Sequence, residues 1–194
     1  MKRNILIILL AFAGLIVLQS TRCGPEYVQK NNQTDSLGVL ISKIDFKLKA
    51  TKEDLDIFED GIVPWININN PAKNIDSLIK PDEVVLLFSQ VTLIIDYPLK
   101  NPASFDISAT GNGFSRRQLI QIISEKYHEI YAEEEKTAEA KTVPVDKRDT
   151  LLNRNQTDGK YGIWGHDLSD LDLDSIEVYK SADGKIYLTL DIES

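Results

Sequence analysis

The chain has 194 residues, with 22 basic and 30 acidic side chains and a single cysteine. That length allows one domain with a substantial core, while the acidic balance argues against nucleic acid and anionic lipid surfaces, both of which need basic patches. One cysteine excludes an intramolecular disulfide, so the fold has to depend on its core alone.

The first recognisable element is an uninterrupted apolar run at residues 5–18, directly after Lys2 and Arg3. A basic stretch, an apolar stretch and then polar residues is the order found in export signals. As a helix the run would extend about 21 Å, short of a hydrocarbon core of about 30 Å. A cleaved signal peptide and a short uncleaved membrane anchor therefore both remain open for residues 1–23.

A lipid-modified Cys23 is a third alternative for this leader. Ser20 and Arg22 occupy positions where lipoprotein signals usually have Leu and a small residue, so the fit is poor. If the leader is retained, the basic residues in front of it keep the N-terminus cytoplasmic. The membrane is thus an expected partner through residues 5–18, with the domain exported or membrane-anchored on the non-cytoplasmic side.

Residues 24–37 are polar and begin with Gly24 and Pro25, and they show no periodicity. We interpret them as a tether, and residues 38–194 as a single domain. Residues 1–24 contain three basic and no acidic side chains, which leaves the exported part with a net charge near −11.

Alternating apolar and polar residues predict strands in the first half of this domain. Ile44, Phe46 and Leu48 alternate with charged residues, which is typical of a half-buried strand. Residues 84–88 and 91–97 are rich in β-branched and aromatic residues, and the second is apolar enough to lie centrally in a sheet. The alternation around Phe105 and Ile107 predicts its antiparallel neighbour.

The clearest predicted helix begins after Ser115, which has Gln118 three positions later in the pattern of a capping box. Its apolar face is expected to contain Leu119, Ile122, Ile123, Tyr127, Ile130 and Tyr131. The acidic residues 133–135 lead into a polar stretch that runs to about Lys141, where we expect the helix to lose this face and fray.

The C-terminal segment reads as a β-hairpin, with apolar residues on both sides of a turn at residues 181–184. The predicted fold class is therefore α+β: an antiparallel-rich sheet with one long helix packed on it, after an N-terminal apolar helix.

The most unusual segment lies between Leu152 and Asp174 and combines aromatic, basic and glycine residues in a predicted loop. Gly162 and Gly165 flank Ile163-Trp164 and allow the backbone to turn tightly on both sides. Loops of this composition often form binding surfaces. The alternative is structural, with Trp164 filling the core beneath the loop. The candidate binding residues are Arg154, Tyr161, Trp164, His166 and Asp167, joined by Arg116 and Arg117 at the helix start.

The same region resembles a family of uncharacterised bacterial and plant proteins that share a YGIWGHDL-like motif. The resemblance covers roughly residues 90–180 and implies a recurring module, without an activity or a ligand. It is carried by Asn153-Arg154-Asn155-x-Thr157-Asp158-Gly159-x-Tyr161-Gly162-Ile163-Trp164-Gly165-His166-Asp167, together with the helix segments Phe114-Ser115-Arg116-Arg117 and Tyr127-His128-Glu129-Ile130-Tyr131.

No catalytic or cofactor motif stands out, so the catalytic residues are unknown and neither a cofactor nor a metal is expected. The Asp-rich stretch from Asp167 to Asp174 fails the EF-hand spacing and reads more simply as a strand with one wet face. The chain has two histidines, His128 and His166, at distant positions, which makes a zinc site weak.

We favour a binding or scaffolding module of the cell envelope over an enzyme. The expected partner, besides the membrane, is a protein or a small anionic ligand, and no nucleic acid is expected. The alternative is a hydrolase-like enzyme that uses His166 with nearby carboxylates. The sequence leaves the oligomeric state open.

Overall fold

The computed structural model describes residues 37–148 and 153–194. The apolar leader at residues 5–18, Cys23 and nearly all of the tether lie outside these residues. Within the described ranges, no helix combines the length and the apolar character needed to cross a membrane.

The described chain is a sheet-rich α+β fold with one α-helix, α1, at Arg116–Thr137. The strands are β1 (Val39–Asp45), β2 (Leu48–Lys49), β3 (Ile62–Val63), β4 (Ile66–Asn67), β5 (Val84–Leu86), β6 (Gln90–Ile95), β7 (Ala103–Ser108), β8 (Phe114–Ser115), β9 (Asp172–Lys180) and β10 (Ile186–Glu193). Short 3-10 turns lie at Asp54–Asp56, Pro71–Lys73, Val145–Lys147 and Leu168–Asp170.

The main sheet is mixed and has the strand order β1-β9-β10-β6-β7. Its pairs are antiparallel except for β10 with β6, where Tyr187 lies opposite Thr92 in a parallel register. On the outer side of β9, β4 continues the edge that β1 begins, pairing Ile66 with Leu173 and Asn67 with Asp172. Two small ladders, β2 with β3 and β5 with β8, lie beside this sheet order.

In the first half of the domain, the alternation of apolar and polar residues correctly predicted which side chains of the strands are buried. Ile44, Phe46 and Leu48 are buried, although the chain divides there into β1 and β2. β6 lies between β10 and β7, in the interior of the strand order as expected. Its core face is buried, whereas Thr92 and Ile94 on the other face are only partly covered.

The helix begins as predicted. The backbone N–H of Ser115 donates to Oε1 of Gln118, and the Gln118 N–H donates back to the Ser115 hydroxyl, which completes the capping box. The buried face differs from the predicted one, because Ile120 is buried while Ile122 and Tyr131 are only half-buried. The helix ends at Thr137, within the polar stretch where the sequence predicts that it frays, but Glu134 at the start of that stretch is completely buried.

The C-terminal hairpin is confirmed and is longer than the apolar alternation alone indicated. β9 starts at Asp172, so part of the Asp-rich stretch is strand, with Leu173 buried and its acidic neighbours partly exposed. Gly184 adopts φ +86° in the turn, a conformation that glycine reaches without strain. The interface between sheet and helix forms the core, in which Leu93, Ile123, Tyr127 and Ile176 are fully buried.

Candidate functional site

The unusual loop, residues 153–167, docks on the connection between β6 and β7. The backbone N–H of Asn101 donates to the carbonyl of Tyr161 at 2.9 Å, and that of Trp164 donates to the carbonyl of Pro98 at 3.2 Å. The two ends of the loop meet where Arg154 N–H donates to the carbonyl of Gly165. Together these backbone contacts hold the loop at both ends and in its middle.

Both glycines of the loop make the tight turns that the sequence predicts. Gly162 has φ +64° and Gly165 has φ +74°, in the left-handed region that favours glycine. Between them the chain places Ile163 in the core, with no exposed surface, and turns Trp164 outward with 42% exposure. The core-filling alternative for Trp164 is therefore wrong, because its neighbour Ile163 fills that position.

A buried carboxylate on α1 holds the inner side of the loop. Oε1 of Glu134 accepts from the Thr157 hydroxyl at 2.6 Å and from the Gly159 N–H at 2.8 Å. Oε2 accepts from the N–H groups of Tyr161 at 2.7 Å and Gly162 at 3.1 Å. Three backbone N–H groups and one hydroxyl of the loop are thus held by one side chain of the helix.

These hydrogen bonds decide the charge state of Glu134. Burial by itself would raise the pKa of this carboxyl, because it penalises the charged form. The hydroxyl and the three backbone N–H groups stabilise the anion, and their combined effect holds the pKa below its ordinary value. The loop therefore wraps a permanently charged carboxylate at neutral pH.

Arg154, a predicted binding residue, is buried in the same support. Its guanidinium lies 5.3 Å from the centre of the Tyr131 ring and donates to the Ile163 carbonyl at 3.4 Å. It also donates to the Thr142 hydroxyl. Because Arg154 is only 5% exposed, it stabilises the loop from inside and does not present its charge to solvent.

Asp167, another predicted binding residue, has its carboxylate engaged by arginine. Arg148 donates to both carboxylate oxygens of Asp167, at 2.6 and 2.9 Å, a bidentate pair in which the arginine side chain is 6% exposed. Nε of Arg154 lies 3.9 Å from the same carboxylate. Asp167 therefore fastens the end of the loop to the segment around Arg148.

Two rings of the loop, those of Trp164 and His166, contact the ring of Tyr97 in the β6–β7 connection, and we name these three rings the aromatic platform. The Tyr97 and Trp164 rings meet edge to face with centroids 5.3 Å apart. The His166 ring lies 5.6 Å from Tyr97 and 6.0 Å from Trp164. The Tyr131 hydroxyl donates to the His166 carbonyl at 3.0 Å and fixes the backbone beneath the platform.

Tyr161, another predicted binding residue, does not belong to the aromatic platform. It is half-buried, and the Lys160 ammonium is 5.0 Å from the centre of its ring. Its surroundings form a separate concavity of about 540 Å³ that also contains Glu129, Glu133 and Lys136. Charges of both signs line this concavity.

Arg116 and Arg117 are not brought to the loop. They lie in the first turn of α1, whereas Glu134, which contacts the loop, is 18 residues further along the helix. At 1.5 Å per residue the two ends are about 27 Å apart. Arg116 pairs with Glu83 and Arg117 with Asp82, so both guanidinium groups are engaged locally.

The hydrolase alternative would require a carboxylate that orients the His166 ring, and Asp167 and Asp170 are the nearest candidates in the sequence. Asp167 is held by Arg148, and Oδ2 of Asp170 accepts from the Asp167 N–H at 2.9 Å. Within the described ranges, neither carboxylate forms a hydrogen bond with the His166 ring, which a general base and its orienting partner would need. Nor do residues 37–148 and 153–194 contain a group of three His, Cys, Asp or Glu side chains able to hold a metal ion.

Comparisons with protein-family models, with curated proteins and with solved structures gave no match. The resemblance to proteins with a YGIWGHDL-like motif stays a prediction.

Several residues that build the site were not predicted as site residues from the sequence, namely Tyr97, Tyr131, Glu134 and Arg148. One signal was present: Glu134 follows Tyr127 and Ile130 at helical spacing and so continues the buried face of α1. A charged residue at an apolar position of a helix indicates a buried partner. Tyr97 and Arg148 carried no comparable signal, because they meet the loop only through the fold.

Proposed function

We propose that the protein is a binding or scaffolding module, exported or tethered to the membrane, whose contact surface is the aromatic platform. The observation that carries this proposal is the exposure of Trp164, at 42%, on a loop fastened from beneath by buried charged groups. Large aromatic side chains dominate the energetics of protein interfaces, and tryptophan most of all.

The support beneath the platform favours binding for a second reason. Ordering a flexible loop on association costs free energy, and a loop already held in one conformation avoids that cost. The carboxylate of Glu134 and the guanidinium of Arg154 are both buried, and burying such groups is costly unless each one is paired. Two buried charged groups that fix one surface loop indicate that the conformation of this loop is important for function, as it would be at a binding surface.

The chemistry of the platform favours a protein partner. Tyr97, Trp164 and His166 combine flat apolar surface with hydrogen-bonding edges, which is the character of interface centres. Trp164 is 42% exposed, so the platform offers an open surface, whereas small-molecule sites usually bury most of their ligand in a cavity.

The cellular location belongs to the same proposal. Residues 5–18 would form an apolar helix that serves as signal peptide or anchor, placing the domain on the non-cytoplasmic side of the cell envelope. The antiparallel-rich sheet with its packed helix would then form the exported domain, and roughly residues 90–180 its recurring module.

Site-specific photo-crosslinking tests the contact surface. A benzophenone amino acid at position 164 of the full chain, expressed in its native cell, is expected to give a discrete adduct with a protein partner. The matched control places it at Leu87, which is 76% exposed and belongs to a different part of the surface. Identical adducts from both positions, or none from position 164, would contradict the proposal.

Cell fractionation followed by mass analysis of the mature N-terminus tests the location. Recovery with membranes or outside the cytoplasm is expected, with an N-terminus that distinguishes anchor, cleaved and lipidated forms. An intact chain found wholly in the soluble cytoplasm would refute the tether.

A further inference from the structure

A second candidate site, unrelated to the aromatic platform, lies at the edge of the main sheet. It is an open cleft of about 400 Å³ between the β3–β4 segment and the turn at residues 51–58. We name it the Trp65 cleft, after the largest side chain in its lining.

One wall of the Trp65 cleft is aromatic. The rings of Trp65 and Phe58 meet edge to face, with centroids 5.7 Å apart and planes at 82°. Ile66 and Ile68 are fully buried, while Trp65 and Asn67 alternate with them and are only partly covered. Trp65 and Asn67 therefore lie on the opposite side of this segment from Ile66 and Ile68, as the two-residue period requires, and Trp65 packs against the margin of the core.

Asp172 adds a carboxylate to the lining of the same cleft. It is the register partner of Asn67 across β4 and β9, and Nδ2 of Asn67 donates to its Oδ1 at 3.0 Å. Burial raises the pKa of the Asp172 carboxyl above its ordinary value, against the effect of this hydrogen bond, and the nearby charge of Asp170 adds to the rise. Asp172 is thus a partly buried carboxylate whose identified partner is a neutral amide.

The next acidic residue on the same face of β9 shows the contrast. Asp174 has the Lys43 ammonium 3.5 Å from its carboxylate. Among the ion pairs of the described residues, none includes Asp172. A partly buried carboxylate without a cation is costly, and such groups occur where a ligand completes the pair.

The remaining lining makes the cleft negative. Glu53 and Asp54 lie on the far wall with a single basic residue, Lys49, so carboxylates outnumber cations by three to one when Asp172 is included. Asp54 is already used locally, accepting from the N–H and the hydroxyl of Thr51 at 2.8 Å each. Of the two remaining carboxylates Glu53 is exposed, so Asp172 is the partly buried one left for a ligand.

We propose that the Trp65 cleft binds a small organic cation, an ammonium group with a short apolar body. The ammonium would pair with the Asp172 carboxylate, and the body would lie against the Trp65 and Phe58 rings. Aromatic rings attract cations and also cover apolar groups, so this wall favours an organic ammonium over a bare metal ion. The inference does not depend on the function proposed for the aromatic platform.

The two tryptophans of the chain make the test selective. In Trp164→Phe, Trp65 is the sole indole fluorophore and reports on the cleft; in Trp65→Phe, Trp164 reports on the platform. The probes are n-butylamine, which is protonated at neutral pH, and the neutral 1-butanol, each titrated into the full chain in physiological salt. We expect n-butylamine to give a saturable fluorescence change in Trp164→Phe alone, with 1-butanol binding about tenfold more weakly or not at all.

The charge of Asp172 is tested with a matched pair of substitutions. Asp172→Asn keeps the acceptor for Asn67 and should weaken n-butylamine binding about tenfold or more. Asp174→Asn makes the same change in net charge two residues away, and its affinity should stay within about twofold of wild type because salt screens the more distant charge.

Several outcomes would overturn the proposal. They are equal binding of the amine and the alcohol, an unaltered affinity in Asp172→Asn, a response from Trp164 instead of Trp65, and no saturable response up to about 100 mM amine. The comparison of the two probes needs no substitution at Asp172, so the proposal remains refutable if Asp172→Asn fails to fold. Saturable binding of a neutral sugar such as N-acetylglucosamine, without binding of the amine, would also refute it.

Discussion

Glu134 is the side chain on which the conformation of the loop most depends, and Glu134→Gln tests that dependence with little change in volume. The amide of Gln has one oxygen and one NH2 group, so two of the four donors around Glu134 would face another donor. The less costly orientation places NH2 next to Thr157, whose hydroxyl can rotate and accept. The Gly159 N–H then remains buried without an acceptor.

The expected cost follows from these contacts. An orphaned buried N–H costs about 1–3 kcal/mol, and a hydrogen bond to a charged group contributes about 1.5–3 kcal/mol. These terms overlap, so we expect Glu134→Gln to lower the free energy of unfolding by about 2–4 kcal/mol. For a domain of this size that corresponds to a fall in melting temperature of roughly 4–16 °C.

The assay is thermal unfolding followed by circular dichroism at neutral pH, with hydrogen exchange of the loop amides as a local readout. Glu135→Gln is the matched control, because Glu135 is the next residue along the helix and is exposed. Its effect should stay within about 0.5 kcal/mol. A melting temperature for Glu134→Gln equal to that of this control, with the Gly159, Tyr161 and Gly162 amides still protected, would refute the reasoning.

The contribution of Glu134 to stability should also depend on pH in a defined direction. The folded-state pKa of Glu134 lies below its ordinary value of 4.5, so its contribution to stability is present above that value. It is lost as the pH falls through the lowered pKa of the folded state. The difference in stability between wild type and Glu134→Gln should therefore be constant near neutrality and should shrink in acid.

Three further predictions follow from similar arguments and are checked by the same unfolding measurement. Trp164→Ala should cost less than about 2 kcal/mol because the residue is 42% exposed, whereas Ile163→Ala should cost about 2–5 kcal/mol because Ile163 is fully buried. A larger loss for Trp164 than for Ile163 would contradict the assignment of Ile163 to the core. Gly159→Ala should destabilise by about 1–3 kcal/mol because a Cβ would lie 2.7 Å from Oε2 of Glu134, while Gly111→Ala, where no atom lies within 4 Å, should be tolerated. Ser115→Ala removes the capping box and should cost about 0.5–2 kcal/mol, and an unchanged melting temperature would show that the cap contributes nothing.

Features that depend on neighbouring residues in the chain could be predicted from the sequence. The start of α1 at Ser115 and the turn before Ile186 both follow from local chemistry, and both are confirmed. The alternation at Ile44 and Phe46 also predicted which side chains face the core. Each of these signals lies within a few residues.

Features that depend on distant partners could not be predicted in this way. The parallel pairing of β10 with β6 joins residues far apart in the chain and leaves no local pattern. The roles of the candidate site residues could not be predicted for the same reason. In the sequence, Arg154 and Trp164 are equally good candidates for contact with a partner. Only the contacts with Tyr131 and Tyr97 show that the first is internal support and the second is exposed.

The parallel pair also constrains how the chain reaches its native state. β6 needs β10 as its neighbour, and β10 is synthesised last among the described elements. Joining partners so widely separated closes a long loop, which slows folding and postpones completion of the sheet. A nascent chain would therefore remain incompletely folded on one side of β6 until residues 186–193 emerge from the ribosome.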